Sequence, residues 1–110
     1  MDRNSALDAL SALSQSTRLD VFRLLIQTGQ AGMNAGDIGQ ALGVKQNTMS
    51  ANLSVLARAG LIRSERDGRS IRYTADMDGV RGLLLFLMQD CCAGRAELCA
   101  PLIAEITTPC

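Results

Sequence analysis

Apolar residues recur along this chain at helical spacing, and in one region the spacing shifts to that of extended strands. The most informative helical stretch starts at Gln46. Met49, Leu53, Leu56 and Ala57 fall on one face of it, while Gln46, Asn47, Ser50, Ala51, Ser54 and Arg58 occupy the other. The second set is short and mostly uncharged, with donors and acceptors suited to base edges. Gly60 is placed to stop this helix. Two extended runs follow, Leu61 to Arg66 and Arg69 to Thr74, joined by Asp67-Gly68, a strong hairpin signal.

Before this region the pattern predicts three helices. Residues 4 to 14 place Leu7, Leu10 and Leu13 on one side, with Ala6, Ala9 and Ala12 as a small-residue flank. Ser16 is positioned to cap a second helix from Thr17 to about Thr28, ended by Gly29. Leu19, Phe22, Leu25 and Ile26 form one stripe on it, and Val21 and Leu24 a second, as expected of a central core helix. Gly29 to Gly32 reads as a loop. Asn34 can cap a third helix from Ala35 to Leu42, with Ile38 and Leu42 inward, and Gly43-Val44 is the tight turn into the Gln46 helix. Helix, short turn and helix is the arrangement that sends its second helix into the DNA major groove.

After the hairpin, Val80, Leu83, Leu84, Leu87, Met88 and Cys91 repeat at helical spacing, and Leu85 and Phe86 widen the stripe. Such a helix packs on its own domain and on a second subunit. Residues 100 to 110, with Pro101 and Pro109, read as a loose tail. The expected fold is mainly α with a small β-hairpin, a homodimeric winged helix-turn-helix of about five helices in the order α-α-α-α-β-β-α. Residues 1–93 would form the DNA-binding and dimerisation domain, and 94–110 a cysteine-bearing tail.

Charge sharpens this picture. The chain of 110 residues has no net charge, with 11 basic and 11 acidic side chains. Between 41 and 75, however, Lys45, Arg58, Arg63, Arg66, Arg69 and Arg72 face only Glu65 and Asp67, and both flanks are acidic. A basic stripe on a neutral protein is a footprint of phosphate contact. The length suits one domain that would gain stability from dimerisation. No apolar run is long enough to span a bilayer and the N-terminus lacks a signal-peptide pattern, so a cytoplasmic protein is expected. Its 4 cysteines would then be thiols rather than a disulfide framework. With no His, most zinc geometries and every mechanism that needs a His base are removed.

Several linked motifs resemble the ArsR/SmtB family of metal-sensing bacterial repressors. They are Ala12-Leu13-Ser14-Gln15-Ser16-Thr17-Arg18-Leu19 with Phe22-Arg23-Leu24-Leu25; Gln46 to Ser50 with Leu53, Leu56 and Ala59-Gly60-Leu61-Ile62; and Asp67-Gly68-Arg69 with Arg72-Tyr73. The likeness covers about residues 5 to 90. It implies a winged-helix homodimer joined through its first and last helices, which represses an operon until an inducer binds. Positions 51 and 52, often Arg and His in relatives, are Ala51 and Asn52 here. The candidate base contacts are Gln46, Asn47 and Ser50, with Lys45, Thr48, Ser54, Arg66, Arg69 and Arg72 beside them on palindromic double-stranded operator DNA.

Inducer sites differ within that family. The third helix has no cysteine and the last no His, which leaves Cys91, Cys92 and Cys99, with Cys110 as a candidate fourth thiol. The set is similar to the C-terminal triads of arsenite-responsive members. Soft thiolates select soft ions, and three of them without His suit trivalent arsenic or antimony better than tetrahedral zinc. In a continuous helix Cys99 would lie about 10 Å along the axis from Cys92, so the helix is expected to end near Gly94 and the chain to fold back. A negative helix end and Asp90 disfavour thiolates there, and Arg95 partly offsets them. Deprotonation would be driven by the ion. Other readings are a sensor of cadmium, lead or bismuth, and a redox or persulfide switch pairing Cys99 or Cys110 with the vicinal pair. A thiol enzyme is disfavoured by the lack of Cys-x-x-Cys, His and a phosphate loop.

Overall fold

The computed structural model describes residues 1–89 and 96–107. Helices α1 (Arg3–Leu13) and α2 (Ser16–Thr28) are followed by a 3-10 turn at Gly29–Ala31 and a short strand β1 (Met33–Asn34). Next come α3 (Ala35–Leu42), α4 (Gln46–Arg58), the hairpin strands β2 (Ile62–Asp67) and β3 (Ser70–Ala75), α5 (Met77–Met88) and α6 (Ala96–Thr107). This is the expected winged helix-turn-helix, with α6 and β1 added. No described helix is long and apolar enough to cross a membrane.

Side-chain caps set most helix starts. Asp2 Oδ1 accepts the Ser5 N–H at 2.7 Å, and that bond holds the Asp2 carboxyl below its ordinary range. At α2 the cap is Gln15, whose Oε1 accepts from the Arg18 N–H at 2.8 Å, and Ser16 is the first helical residue. The expected Ser16 cap is thus displaced by one position, because the longer Gln15 side chain reaches the same donor. Asn34 caps α3 as expected, through the Asp37 N–H at 2.8 Å.

The core is built from Val21 and Leu25 of α2, Ile38 of α3, Met49, Leu53 and Leu56 of α4, Leu61 and Ile62 at the hairpin base, and Leu83 of α5. From α1 it takes Ala6, Ala9 and Ala12, whereas Leu7 and Leu10 stay 50% and 40% exposed. The alanines let α1 lie close against its neighbours, and the leucine face is turned away. On α2, Leu19 and Ile26 are likewise exposed, so this helix is buried along Val21 and Leu25 rather than on two full sides.

Between the expected Gly29–Gly32 loop and α3, Met33–Asn34 form β1, a strand that the sequence did not indicate. Met33 pairs with Tyr73 and Asn34 with Arg72, giving an antiparallel sheet in the order β1-β3-β2. The sheet satisfies backbone groups that a bare loop would leave to solvent. In the hairpin Asp67 pairs with Ser70, so Gly68-Arg69 is the two-residue turn, one position later than expected. Gly68 takes the positive φ of 64° that the first position of such a turn requires.

The last two helices depart further from expectation. The apolar stripe expected through Cys91 forms α5 to Met88, where Gln89 leaves the helix at ψ 131° with its N–H bonding Phe86 O at 3.4 Å; Cys91 lies outside the described residues. Residues 96–107 form α6 where a loose tail was expected. Ala, Leu and Glu favour a helix enough to accommodate Pro101 inside it, Glu97 suits the positive N-terminal end, and Thr107 Oγ1 back-bonds to Ile103 O at 2.9 Å. The expected helix end near Gly94 lies outside the described residues.

Candidate nucleic-acid interface

Helix α4 is presented by the turn before it. Gly43 adopts the left-handed conformation, φ 68° and ψ 35°, and the Val44 N–H returns to Gly39 O at 2.9 Å. Lys45 occupies the N-cap position without a side-chain cap. Asn47 Oδ1 accepts the Thr48 N–H at 2.9 Å. Gln46, Asn47, Thr48, Ser50, Ala51, Ser54 and Arg58 are exposed and form one continuous polar surface from the first turn to the last. Met49, Leu53 and Leu56 point inward as expected, but Ala57 is exposed. On the other flank of that stripe Asn52 is buried, at 8% exposed.

The hairpin is held to this helix through backbone bonds. Leu61 N–H donates to Leu56 O at 3.1 Å and Asp76 N–H to Leu61 O at 2.9 Å, so α4, β2 and the start of α5 share one junction. At the far end Arg66 and Arg69 are exposed beside Ile71, an apolar residue 41% exposed and paired with Arg66. Arg63 is exposed nearer the base. Arg72 is placed differently. It is half-buried, its Nη2 lies 3.1 Å from Glu65 Oε2 across the strands, and it lines a cleft of about 540 Å³ with Leu25, Ile26, Arg63, Thr74 and Met77. Lys45, Arg58, Arg63, Arg66 and Arg69 are the cations of the basic stripe left on the surface with no ion pair among the described residues.

Of the cysteines, only Cys99 falls within the described residues. It stands in the first turns of α6, partly exposed, and is disulfide-bonded. Cys91, Cys92 and Cys110 lie outside them, as do Asp90 and Arg95. Among the described residues no group of three His, Cys, Asp or Glu side chains is arranged to hold a metal ion.

Sequence reasoning missed the interior polar contact behind the interface. Arg18 Nη1 donates to Asn52 Oδ1 at 3.3 Å, and Arg18 Nε donates to Ala12 O at 2.6 Å. The available signal was an asparagine between Met49 and Leu56 at a position whose helical phase is inward.

A helix with a polar outer face, set by a tight turn and flanked by a basic β-hairpin, is a winged helix-turn-helix that binds double-stranded DNA. Comparison with known proteins agrees, since a helix-turn-helix domain family matches residues 13–65. An HTH-type transcriptional regulator of Bacillus subtilis, YbzH, is 30% identical over 93 residues, covering 74% of this chain and 93% of its own. An ArsR-like transcriptional regulator from Rhodococcus superposes with a TM-score of 0.72 at 25% identity, over 97% of this chain and 96% of its own. A homodimeric winged helix-turn-helix DNA-binding domain from Mycobacterium bovis, a possible ArsR-family regulator, gives a TM-score of 0.65 at 28% identity, over 77% of each chain. The chain belongs to the HTH-type transcriptional regulators, and it is similar in fold to ArsR-like members of them.

Proposed function

We propose that the protein is a homodimeric repressor that binds a palindromic operator and releases it when trivalent arsenic, or antimony, is taken up by Cys91, Cys92 and Cys99. The observation that carries this reading is the disulfide at Cys99. The bond shows that the Cys99 sulfur is available to sulfur chemistry rather than buried as an inert side chain. In the reduced protein Cys99 would supply one soft donor, and trivalent arsenic takes three such donors in a pyramid. Arsenous acid would exchange its three hydroxyls for three thiolates, each hydroxyl leaving with a thiol proton as water. No outside electron donor or acceptor is involved.

Dimerisation is supported by what the protomer leaves exposed. Leu7 and Leu10 of α1 and Leu84, Leu85, Leu87 and Met88 of α5 present large apolar side chains, and α1 and α5 touch. An apolar surface of this kind marks an interface, and the M. bovis relative is homodimeric. Two copies joined here would carry two α4 helices onto half-sites about one DNA turn apart. Ligation beside α5 can then change their spacing.

The disulfide also favours a second reading, a redox switch in which a peroxide takes two electrons from a pair of thiols that includes Cys99 and leaves as water. Mass spectrometry with thiol alkylation separates the two. Reduced protein given arsenite should gain one arsenic per chain and lose three alkylatable thiols, and Cys91→Ser, Cys92→Ser or Cys99→Ser should each abolish tight uptake. If arsenite protects no thiol, while dilute peroxide removes two and lowers DNA affinity reversibly, the redox reading replaces the arsenic one.

A further inference from the structure

Asn52 is the buried polar side chain of the core among the described residues, on a helix whose other inward positions are Met49, Leu53 and Leu56. A leucine there would continue the apolar stripe but would leave the Arg18 Nη1 donor without its partner. Burying an amide is unfavourable unless it is hydrogen-bonded, and Asn52 is bonded by Arg18 at 3.3 Å. The guanidinium also donates its Nε–H to Ala12 O at 2.6 Å. That carbonyl belongs to the last turn of α1, where carbonyls have no partner within their own helix and a cation is favoured by the helix dipole. One side chain from the start of α2 therefore ties the end of α1 to the inner face of α4.

The rotation of α4 about its own axis decides which side chains face outward. At 3.6 residues per turn, Asn47, Ser50 and Ser54 lie roughly 140–160° around the helix from Asn52. Holding Asn52 inward aims these three directly away. A purely apolar stripe specifies that angle less sharply, because Leu and Met side chains can repack over a range of rotations, whereas a hydrogen bond to a planar guanidinium has narrow geometry.

We propose that Arg18 and Asn52 are positioning residues for DNA recognition. Through Ala12 O they reference the orientation of the recognition helix to α1, which carries the exposed Leu7 and Leu10 face. They touch no base. Their effect is on sequence discrimination rather than on attraction to phosphates, and the inference rests on DNA binding by α4, not on the identity of the inducer.

The test compares wild type with Asn52→Leu, Asn52→Asp, Arg18→Met and Arg18→Lys. The probes are a duplex selected by the wild-type protein from a randomised pool and a scrambled duplex of equal length. Binding is read by fluorescence anisotropy well below each melting temperature, with circular dichroism and sedimentation confirming fold and assembly. Asn52→Leu should stay folded, since it extends the apolar stripe and the half-buried Arg18 can turn its freed donor to solvent, yet lose about tenfold or more in affinity for the selected duplex, the loss expected of one misread base pair. Its affinity for the scrambled duplex and its salt dependence should not change. Asn52→Asp, which keeps an acceptor for Arg18, should retain most of the discrimination, and Arg18→Lys, which cannot make both bonds with one fork, should lose it. Arg18→Met should fail like Asn52→Leu, and the double variant should be no worse than either single one.

A folded Asn52→Leu protein with wild-type affinity and discrimination overturns the proposal. So does an equal loss on both duplexes, which would mark a structural role alone. Should Arg18→Met not fold, the Asn52 pair decides. A wild-type protein that selects no sequence removes specific DNA reading itself, and the proposal with it.

Discussion

Gly79 stands where the start of α5 meets the exit of the recognition helix, and a Cβ added there would overlap the Gly60 carbonyl oxygen. Backbone cannot yield as a flexible side chain can. Gly79→Ala should therefore lower stability by about 3 kcal/mol, at the upper end of overpacking costs, read as a lower urea midpoint with an unchanged m-value. The basic residues differ from one another in a way that sequence did not distinguish. Arg69 is exposed at the tip, so Arg69→Ala should weaken binding to all duplexes and reduce the slope of log affinity against log salt by about 0.9. Arg72 is committed to Glu65 at 3.1 Å, so Arg72→Ala should change that slope less than Arg69→Ala. Equal effects would place Arg72 on phosphate after all. Residues whose role follows from local chemistry, such as the Asn34 cap and Gly43, were legible in the sequence. The Arg18–Asn52 bond was not, because it joins positions 34 apart and depends on how three helices meet.

At the scale of elements, periodicity located α2, α3, α4 and the hairpin to within a residue or two, since each has its own cap, turn or apolar stripe. Where two surfaces compete for one helix, periodicity could not say which would be buried. In α1 the leucine stripe and the alanine flank were both open to packing, and Ala6, Ala9 and Ala12 are the buried positions. The leucine faces of α1 and α5 become intelligible as surface left for a second copy. Leu85 is 62% exposed, so Leu85→Asp should leave the protomer folded and shift sedimentation to the monomer, with operator affinity falling alongside. A monomeric wild-type protein would contradict this use of the faces. For α6, Pro101 and Pro109 suggested a tail, but an apolar run with good helix formers outweighed one proline.

For the whole molecule, DNA recognition and the proposed control site occupy different parts of the chain. The basic surface of α4 and the hairpin is set by residues 43 to 72, and the cysteines begin after α5. The family and the DNA-binding role follow from the first part, where composition, spacing and fold agree. The proposed inducer rests on the second part through residue types alone, Cys91, Cys92 and Cys99, since ligand choice depends on distances that spacing does not fix. The most direct measurement is fluorescence anisotropy of the selected duplex bound to fully reduced protein, followed as arsenite is added to one equivalent per chain. Tight binding is expected before arsenite, release as the equivalence point is approached, and no release for Cys99→Ser. Continued binding by wild type with arsenite in excess would contradict the arsenic reading.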